Sequence, residues 1–163
     1  MQLSQKLMIN PKNPSLSKTI SLTKITNSSA QTQKLGFWLG NQLANRTDKT
    51  IILLQGTLGT GKTTFTKGFI KSFGIKQLVT SPTFVILKTY VGLKQKIYHL
   101  DLYRPSLSMD LCQDLLEDFG NQDFLMVEFP EDCSKVFPDF NFLVKIDFLN
   151  KKQRKITIKQ IKN

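Results

Sequence analysis

The chain has 163 residues, of which 40% are hydrophobic and 21% are charged, and its formal net charge is +11. This length suits one domain with a sizeable core, and the composition is typical of a soluble globular protein. No segment approaches the roughly 18 consecutive apolar residues of a membrane helix, and the N-terminus lacks the apolar run of a secretion signal. We therefore expect a cytoplasmic protein with no membrane association.

The N-terminal segment differs in composition from the rest of the chain. Residues 1–17 are rich in Lys, Ser and Asn and contain two prolines, which predicts a disordered tail. An organelle transit peptide is the alternative, because the segment has no acidic residue, but it has no Arg either. We expect a single domain over residues 18–163.

The positive charge is concentrated at the two ends of the chain. Residues 1–50 carry seven Lys or Arg against one acid, residues 145–163 carry seven against one, and residues 51–144 carry nine against ten. Basic ends on a near-neutral centre suit an RNA or an RNA-bound partner. A Lys-rich composition that serves solubility is the alternative.

The first elements alternate between strand and helix patterns. Residues 20–25 alternate apolar and polar side chains, which predicts a short edge strand. Residues 27–29 offer N-cap oxygens to a helix that extends to about Asn45. Its apolar positions recur at helical spacing at Leu35, Trp38, Leu39 and Leu43. Residues 50–54 are continuously apolar, the pattern of a parallel strand buried on both faces.

A second helix and a hairpin follow. Residues 62–73 have a helical pattern that stops at Gly74, with an inner face of Phe65, Phe69 and Ile70. Residues 84–91 and 96–102 have strand patterns around a turn at Gly92, which predicts an antiparallel hairpin.

The last third of the chain completes an α/β pattern. Residues 108–120 predict a helix, capped by Ser106 or Ser108, with an inner face of Leu111, Leu115, Leu116 and Phe119. Residues 124–127 predict a second buried strand ending at Glu128, and residues 142–149 and 155–161 predict a terminal hairpin. The whole predicts a P-loop NTPase-like α/β fold, with a mostly parallel central sheet, antiparallel additions and flanking helices.

A phosphate-binding pattern lies between the apolar strand and the second helix. Its eight residues are Gly56, Thr57, Leu58, Gly59, Thr60, Gly61, Lys62 and Thr63. The glycines allow successive N–H groups to point at phosphate oxygens, and the following helix adds its positive end to the same anion. Lys62 supplies a charge to the β- and γ-phosphates, and the Thr63 hydroxyl is placed to bind Mg²⁺. This segment, the glycine loop, predicts a nucleotide site.

Two acids at predicted strand ends are candidate partners of the metal. Glu128 follows the buried strand, and Asp101 ends the second strand of the predicted hairpin. One carboxylate would hold Mg²⁺ directly or through water, and the other would orient the attacking water or sense the γ-phosphate. The pattern leaves open which acid has which role.

Histidine, arginine and cysteine often act in catalysis or metal binding in other proteins, but their positions in this sequence do not indicate such a role clearly. His99, the only histidine, is predicted to be a packed or surface residue. Arg104 is either an internal arginine that stabilises phosphate charge or the partner of acids that follow it. Cys112 and Cys133 have no metal-binding spacing and predict two reduced thiols.

Four motifs together resemble the TsaE family, the ATPases of bacterial tRNA threonylcarbamoyladenosine synthesis. They are residues 56–65, the Ser-Pro-Thr-Phe of residues 81–84, the Tyr-His-Leu-Asp-Leu-Tyr-Arg of residues 98–104, and the Val-Glu-Phe-Pro-Glu of residues 127–131. The glycine loop is shared by many families, whereas the second and third motifs are far more selective. The resemblance extends from about residue 20 to the terminal hairpin.

The resemblance implies a role for each matching residue. It implies Mg²⁺ ligands at Thr63 and Glu128, and hydrolysis that needs Lys62, Asp101 and Glu128. It implies ATP contacts at Ser29, Gly56, Thr57, Leu58, Gly59, Thr60, Gly61, Lys62, Thr63, Thr64 and Glu131. It implies switch-like segments at Ser81, Thr83, Asp101 and Arg104. The family's usual Trp after the Glu is Phe129 here, which keeps an aromatic face but loses the indole N–H.

The resemblance also implies an activity and partners. The protein would hydrolyse ATP slowly on its own, with Mg²⁺, and its ATP cycle would reset the TsaD–TsaB pair that modifies tRNA. Contact with tRNA would be indirect or through the basic termini. The alternative is a small P-loop metabolite or nucleoside kinase, although the chain shows no Arg-rich lid between Arg104 and Phe137. A guanine-reading motif is also missing, because residues 150–153 lack its Asp.

Overall fold

The strands predicted from apolar patterns join in a single sheet. The computed structural model describes residues 20–81, 87–102, 114, 119–129 and 137–161. The strands in these ranges are β1 (Ser21–Thr26), β2 (Thr50–Gln55), β3 (Leu87–Val91), β4 (Lys96–Asp101), β5 (Phe124–Phe129), β6 (Phe142–Phe148) and β7 (Arg154–Gln160). The helices are α1 (Ser29–Leu43) and α2 (Lys62–Lys71). The predicted tail and most of the helix predicted before Gly120 lie outside these ranges.

The sheet has a parallel centre and antiparallel edges. Its strand order is β1-β7-β6-β2-β5-β4-β3. The pairs β6–β2, β2–β5 and β5–β4 are parallel, and the pairs β1–β7, β7–β6 and β4–β3 are antiparallel. The α/β class and both predicted hairpins are confirmed. The prediction of a mostly parallel sheet is too strong, because half of the pairings are antiparallel.

The predicted end of the second buried strand, β5, needs correction. Glu128 was expected to follow the second buried strand, but it lies within β5, where it is in register with Leu54 of β2 and Asp101 of β4. Pairing on both sides holds the backbone of β5 extended for two residues beyond the apolar run. The Glu128 side chain therefore projects from the face of the sheet at a defined position.

The two faces of the sheet bury separate apolar clusters. Both α1 and α2 pack on the first face, where Leu39, Phe65 and Phe69 join strand residues such as Ile52, Phe124 and Met126. The other face buries Leu53, Tyr98, Leu100, Leu125, Val127 and Phe129 together with Phe119 and Phe137. Alternate residues of β5 thus point to opposite sides, as the period of a strand requires. No helix within the described ranges is long and apolar enough to span a membrane.

The two helices contact each other through glycines. A Cβ atom on Gly36 of α1 would lie 2.1 Å from the Phe65 carbonyl oxygen, and one on Gly68 of α2 would lie 1.9 Å from the Gln33 carbonyl oxygen. These distances are shorter than any non-bonded contact of a real side chain. The close approach fixes α2, and with it the start of the helix after the glycine loop, against α1.

Candidate functional site

The glycine loop connects β2 to α2 and needs glycine for two separate reasons. Gly59 and Gly61 have φ angles of +79° and +107°, in the left-handed region that disfavours other residues. At Gly56 the reason is space, because a Cβ atom there would lie 2.4 Å from the Ile146 carbonyl oxygen of β6. Gly61 is also the N-cap of α2 and offers no side chain to cap its N–H groups. The positive end of α2 therefore faces the loop.

Lys62, the first residue of α2, extends back across this loop. Its Nζ donates to the carbonyl oxygens of Gly56 at 2.6 Å and Thr57 at 3.1 Å. Burial lowers the pKa of Lys62 below its usual 10.5, and the carboxylates of Glu128 and Asp101 oppose that shift. The ammonium group is thus partly removed from water, which strengthens its attraction to any anion placed in the loop.

The next residue of the helix contacts one of the predicted acids. The Thr63 hydroxyl donates to Oε2 of Glu128 at 2.8 Å, and Thr66, one turn further on, lies 3.2 Å from Oε1. Glu128 is 3% exposed. The chain therefore brings together the two residues that the sequence proposed as Mg²⁺ ligands.

Asp101 lies beside Glu128 on the neighbouring strand. It is 9% exposed, and its Oδ2 accepts a hydrogen bond from the Ser81 hydroxyl at 3.3 Å. Ser81 and Asp101, both predicted to be switch-like, are thus in contact. The carboxyl ends of parallel strands meet at one edge of a sheet, which explains why β4 and β5 present both acids next to the loop.

These groups surround a cavity of about 220 Å³, the carboxylate cavity. Its lining consists of Leu58, Gly59, Gly61, Lys62, Thr63, Thr64, Ser81, Asp101, Glu128 and Phe129. A cation, two carboxylates and hydroxyl oxygens face the same space. Such a lining suits an anion that arrives with a hard divalent cation.

The oxygens that face this cavity are of the type that binds Mg²⁺. Within the described ranges no group of three or more His, Cys, Asp or Glu side chains is placed to hold a metal by itself. Mg²⁺ rarely uses such an all-protein cage, since it is bound by one or two carboxylates together with phosphate oxygens and water. The Thr63 hydroxyl and the Glu128 carboxylate form a donor set of this kind.

A second cavity, of about 240 Å³, lies on the other side of the glycine loop. This basic cavity is lined by Ser28, Ser29, Thr32, Gly59, Thr60, Gly61, Thr64, Lys151, Lys152 and Arg154. Ser29, for which the resemblance implies an ATP contact, therefore lies in the same cavity as residues of the loop. Gly59, Gly61 and Thr64 line both cavities, so a ligand that follows the loop would contact both.

Arg154 lines the basic cavity, although no sequence pattern predicted it as a site residue. Its Nε donates to the Thr60 carbonyl oxygen at 3.2 Å, and its guanidinium lies 4.2 Å from the centroid of the Phe148 ring. The strand pattern indicated the β6–β7 hairpin but not that its turn returns to the glycine loop. The basic charge assigned to the C-terminal end is thus located, in part, at this cavity.

The remaining predicted site residues differ in their exposure to solvent. Thr60 is buried at 1% exposure and donates to the Thr57 carbonyl oxygen, whereas Leu58 is 71% exposed. Phe129 borders the carboxylate cavity, but its ring is 3% exposed within the cluster on the other face of the sheet, so packing is its main role. Thr83, Arg104 and Glu131 lie outside the described residues.

His99 was predicted to be a packed or surface residue, and the packed alternative is confirmed, but the contact that it makes was not expected. It is completely buried, and its Nε2 lies 2.6 Å from Oε1 of Glu128. Because β4 and β5 are neighbours in parallel, His99 and Glu128 project from the same face of the sheet two positions apart.

The fold and the site together are those of an α/β protein with a candidate nucleotide site at the glycine loop. A glycine loop joins a buried parallel strand to a helix and faces two carboxylates from the next two strands of the sheet. A family model described as "Threonylcarbamoyl adenosine biosynthesis protein TsaE" matches residues 26–156. The chain belongs to the TsaE family, and the resemblance inferred from the four motifs is confirmed.

Individual relatives agree with this assignment. The chain is 38% identical over 114 residues to the tRNA threonylcarbamoyladenosine biosynthesis protein TsaE of Bacillus subtilis, covering 69% of this chain and 71% of that protein. It is 29% identical over 140 residues to the TsaE of Treponema pallidum, covering 82% and 97%. The crystal structure of YdiB from Bacillus subtilis superposes with a TM-score of 0.64 at 26% identity, covering 91% and 90%.

Proposed function

We propose that this chain binds ATP and hydrolyses it with Mg²⁺ as a subunit of the tRNA threonylcarbamoyladenosine modification system. The observation that carries the proposal is the contact between Thr63 and Glu128, 2.8 Å long, at the start of the helix that also bears Lys62. The residues to which we assign phosphate and metal binding lie together at the start of this helix, which supports a site for a nucleoside triphosphate with its cation.

The residues around the loop have separate tasks in this proposal. Lys62 and the loop N–H groups bind the phosphates, and the basic cavity with Ser29 and Arg154 takes the rest of the nucleotide. Thr63 and Glu128 hold Mg²⁺, which when bound neutralises charge on the phosphate oxygens. Asp101, held by Ser81, orients the water that attacks the γ-phosphorus as ADP leaves.

The cellular role rests on the family. By its resemblance to TsaE proteins, the chain works in the cytoplasm with the TsaD–TsaB pair, and its ATP cycle resets that pair between turnovers. Segments whose order depends on the γ-phosphate and Mg²⁺ would transmit the change. The basic termini offer contacts to tRNA held by the same complex.

Co-purification tests this role. The purified chain is mixed with tagged TsaD–TsaB from the same source, with ATP and Mg²⁺, with ADP, or without nucleotide. We expect retention that depends on ATP and is lost in Lys62→Ala but kept in Lys71→Ala, a lysine exposed in the last turn of the same helix. Nucleotide-independent failure to bind, together with transfer of phosphate to a small acceptor, would instead establish the kinase alternative.

A further inference from the structure

His99 is a buried polar residue beside the site that the proposed mechanism does not use. It is 0% exposed, and its Nε2 lies 2.6 Å from Oε1 of Glu128. Its other ring nitrogen, Nδ1, is buried and has no hydrogen-bond partner within the described part of the chain. An apolar side chain would fill the same space without burying an unpaired nitrogen, so packing alone does not account for a histidine here.

The hydrogen bonds of Glu128 show what His99 contributes. Oε2 accepts from Thr63 at 2.8 Å, while Oε1 lies 3.2 Å from the Thr66 hydroxyl. The same Thr66 hydroxyl lies 3.1 Å from the Lys62 carbonyl oxygen, and one O–H cannot donate fully to both acceptors. Among the described residues, the side chain of His99 makes its hydrogen bond to Oε1 of Glu128 and to no second acceptor, so His99 is the donor committed to Oε1.

The oxygens of the Glu128 carboxylate accept hydrogen bonds, so Nε2 of His99 is assigned as the donor of the contact between them. With Oε1 held by His99 on the same face of the sheet, Oε2 remains directed at Thr63 and the carboxylate cavity.

We propose that His99 is a positioning residue for Glu128: its Nε2–H holds Oε1, and this orientation presents Oε2 to the divalent cation. The inference rests on the proposed function, since it assigns the metal to Thr63 and Glu128. Partners that orient a metal ligand contribute about 10- to 100-fold to metal affinity. His99 itself touches neither metal nor nucleotide.

Cation affinity measured by Mn²⁺ electron paramagnetic resonance tests the proposal in the full chain with a non-hydrolysable ATP analogue. His99→Leu removes the donor, and His99→Gln keeps an N–H group at similar reach. We expect His99→Leu to weaken Mn²⁺ binding by about tenfold or more, and His99→Gln to remain within about threefold of wild type. Affinity for the analogue without metal should stay within about twofold in both.

A double-mutant cycle separates positioning from structure. In a Glu128→Gln background, His99→Leu should cause no further loss of Mn²⁺ affinity, because the group that it positions has gone. If His99→Leu does not fold, His99→Asn replaces it, since its amide is one methylene too short to reach Oε1. The proposal would be overturned if His99→Leu, or His99→Asn in its place, bound Mn²⁺ as tightly as the wild type. It would also be overturned if His99→Gln lost as much Mn²⁺ affinity as His99→Leu.

These outcomes remain separate from those of the proposed function. If the wild-type chain does not bind the ATP analogue with Mn²⁺, the proposed function fails and His99 has no ligand to position. If the wild type binds both and the His99 variants bind equally well, only the positioning role fails.

Discussion

The hydroxyl of Thr63 donates to the carboxylate of Glu128 across 2.8 Å, although the two residues are 65 positions apart in the chain. Thr63 belongs to the first turn of α2, and Glu128 belongs to β5, which is in register with the strand leading into the glycine loop. The loop and its acid are therefore coupled by the central parallel pair of the sheet. Any shift of β5 against β2 would separate the candidate metal ligands.

Substitution of this acid should separate metal-dependent hydrolysis from nucleotide binding. Glu128→Gln keeps the size of the side chain but removes its charge. We expect ATP hydrolysis to fall at least about 100-fold, because metal ligands contribute several kcal/mol to the stabilisation of transition-state charge. Phosphate release at saturating Mg²⁺ measures the effect, and binding of a fluorescent ATP analogue without Mg²⁺ should change little.

The control for this substitution is Asp147→Asn, which removes the charge of a half-buried acid in β6 that pairs with Lys145. Its hydrolysis rate should equal that of the wild type. An unchanged rate in Glu128→Gln would move the metal role to Asp101.

Asp101→Asn should have a different kinetic effect. If Asp101 orients the attacking water, its loss slows hydrolysis by about 100-fold or more but leaves the Mg²⁺ concentration for half-maximal rate unchanged. Steady-state rates across a Mg²⁺ titration give both quantities. A large rise in the Mg²⁺ requirement would show instead that Asp101 is a metal ligand.

Lys62→Ala should weaken ATP binding itself. Its ammonium group is held at the loop by two carbonyl oxygens and is partly shielded from water. Loss of a charge-assisted contact to phosphate costs about 1.5–3 kcal/mol, which corresponds to an affinity at least about tenfold weaker. Isothermal titration with ATP measures it, with Lys71→Ala as the matched lysine on the exposed end of α2. Equal affinities in the two variants would contradict the placement of phosphate at Lys62.

Gly68→Ala tests the contact between the helices. In an exposed helix the same change would stabilise by about 1 kcal/mol. Here the added Cβ atom would meet the Gln33 carbonyl oxygen at 1.9 Å, so we expect the free energy of unfolding to fall by about 2 kcal/mol. Urea unfolding followed by circular dichroism measures the change, and Lys71→Ala should remain within about 0.5 kcal/mol of wild type. A stabilised Gly68→Ala would show that α1 and α2 are further apart than described.

Local sequence patterns predicted the strands and helices of this fold well, but they did not predict which strands pair in the sheet. The continuous apolar run of β2, the helical stripe of α2 and both hairpins follow from side-chain period and turn residues. The order of the strands in the sheet does not follow from these patterns, because the alternation of side chains shows only that a strand has a buried face. The antiparallel share was underestimated for this reason, since β1 adds to the edge of the terminal hairpin rather than to the parallel centre.

The candidate site shows the same division. Lys62, Thr63 and the loop glycines were predicted from contiguous residues whose spacing carries the chemistry. His99 was missed because its relation to Glu128 exists only once β4 and β5 are known to be parallel neighbours. Arg154 was missed because the turn of the β6–β7 hairpin meets the loop only in three dimensions. The sequence did contain one indication of this role: the sole histidine lies two residues before a predicted acid on the same strand, so both side chains project from one face.

We propose that the ATP cycle of this chain drives repeated turnover by TsaD–TsaB. The most direct measurement counts modified adenosines per TsaD–TsaB complex, with tRNA, an activated threonylcarbamoyl donor and ATP, in the presence of this chain or its Lys62→Ala variant. We expect many modifications per complex with the wild-type chain and about one with the variant or with no addition. Equal counts in all three reactions would contradict it.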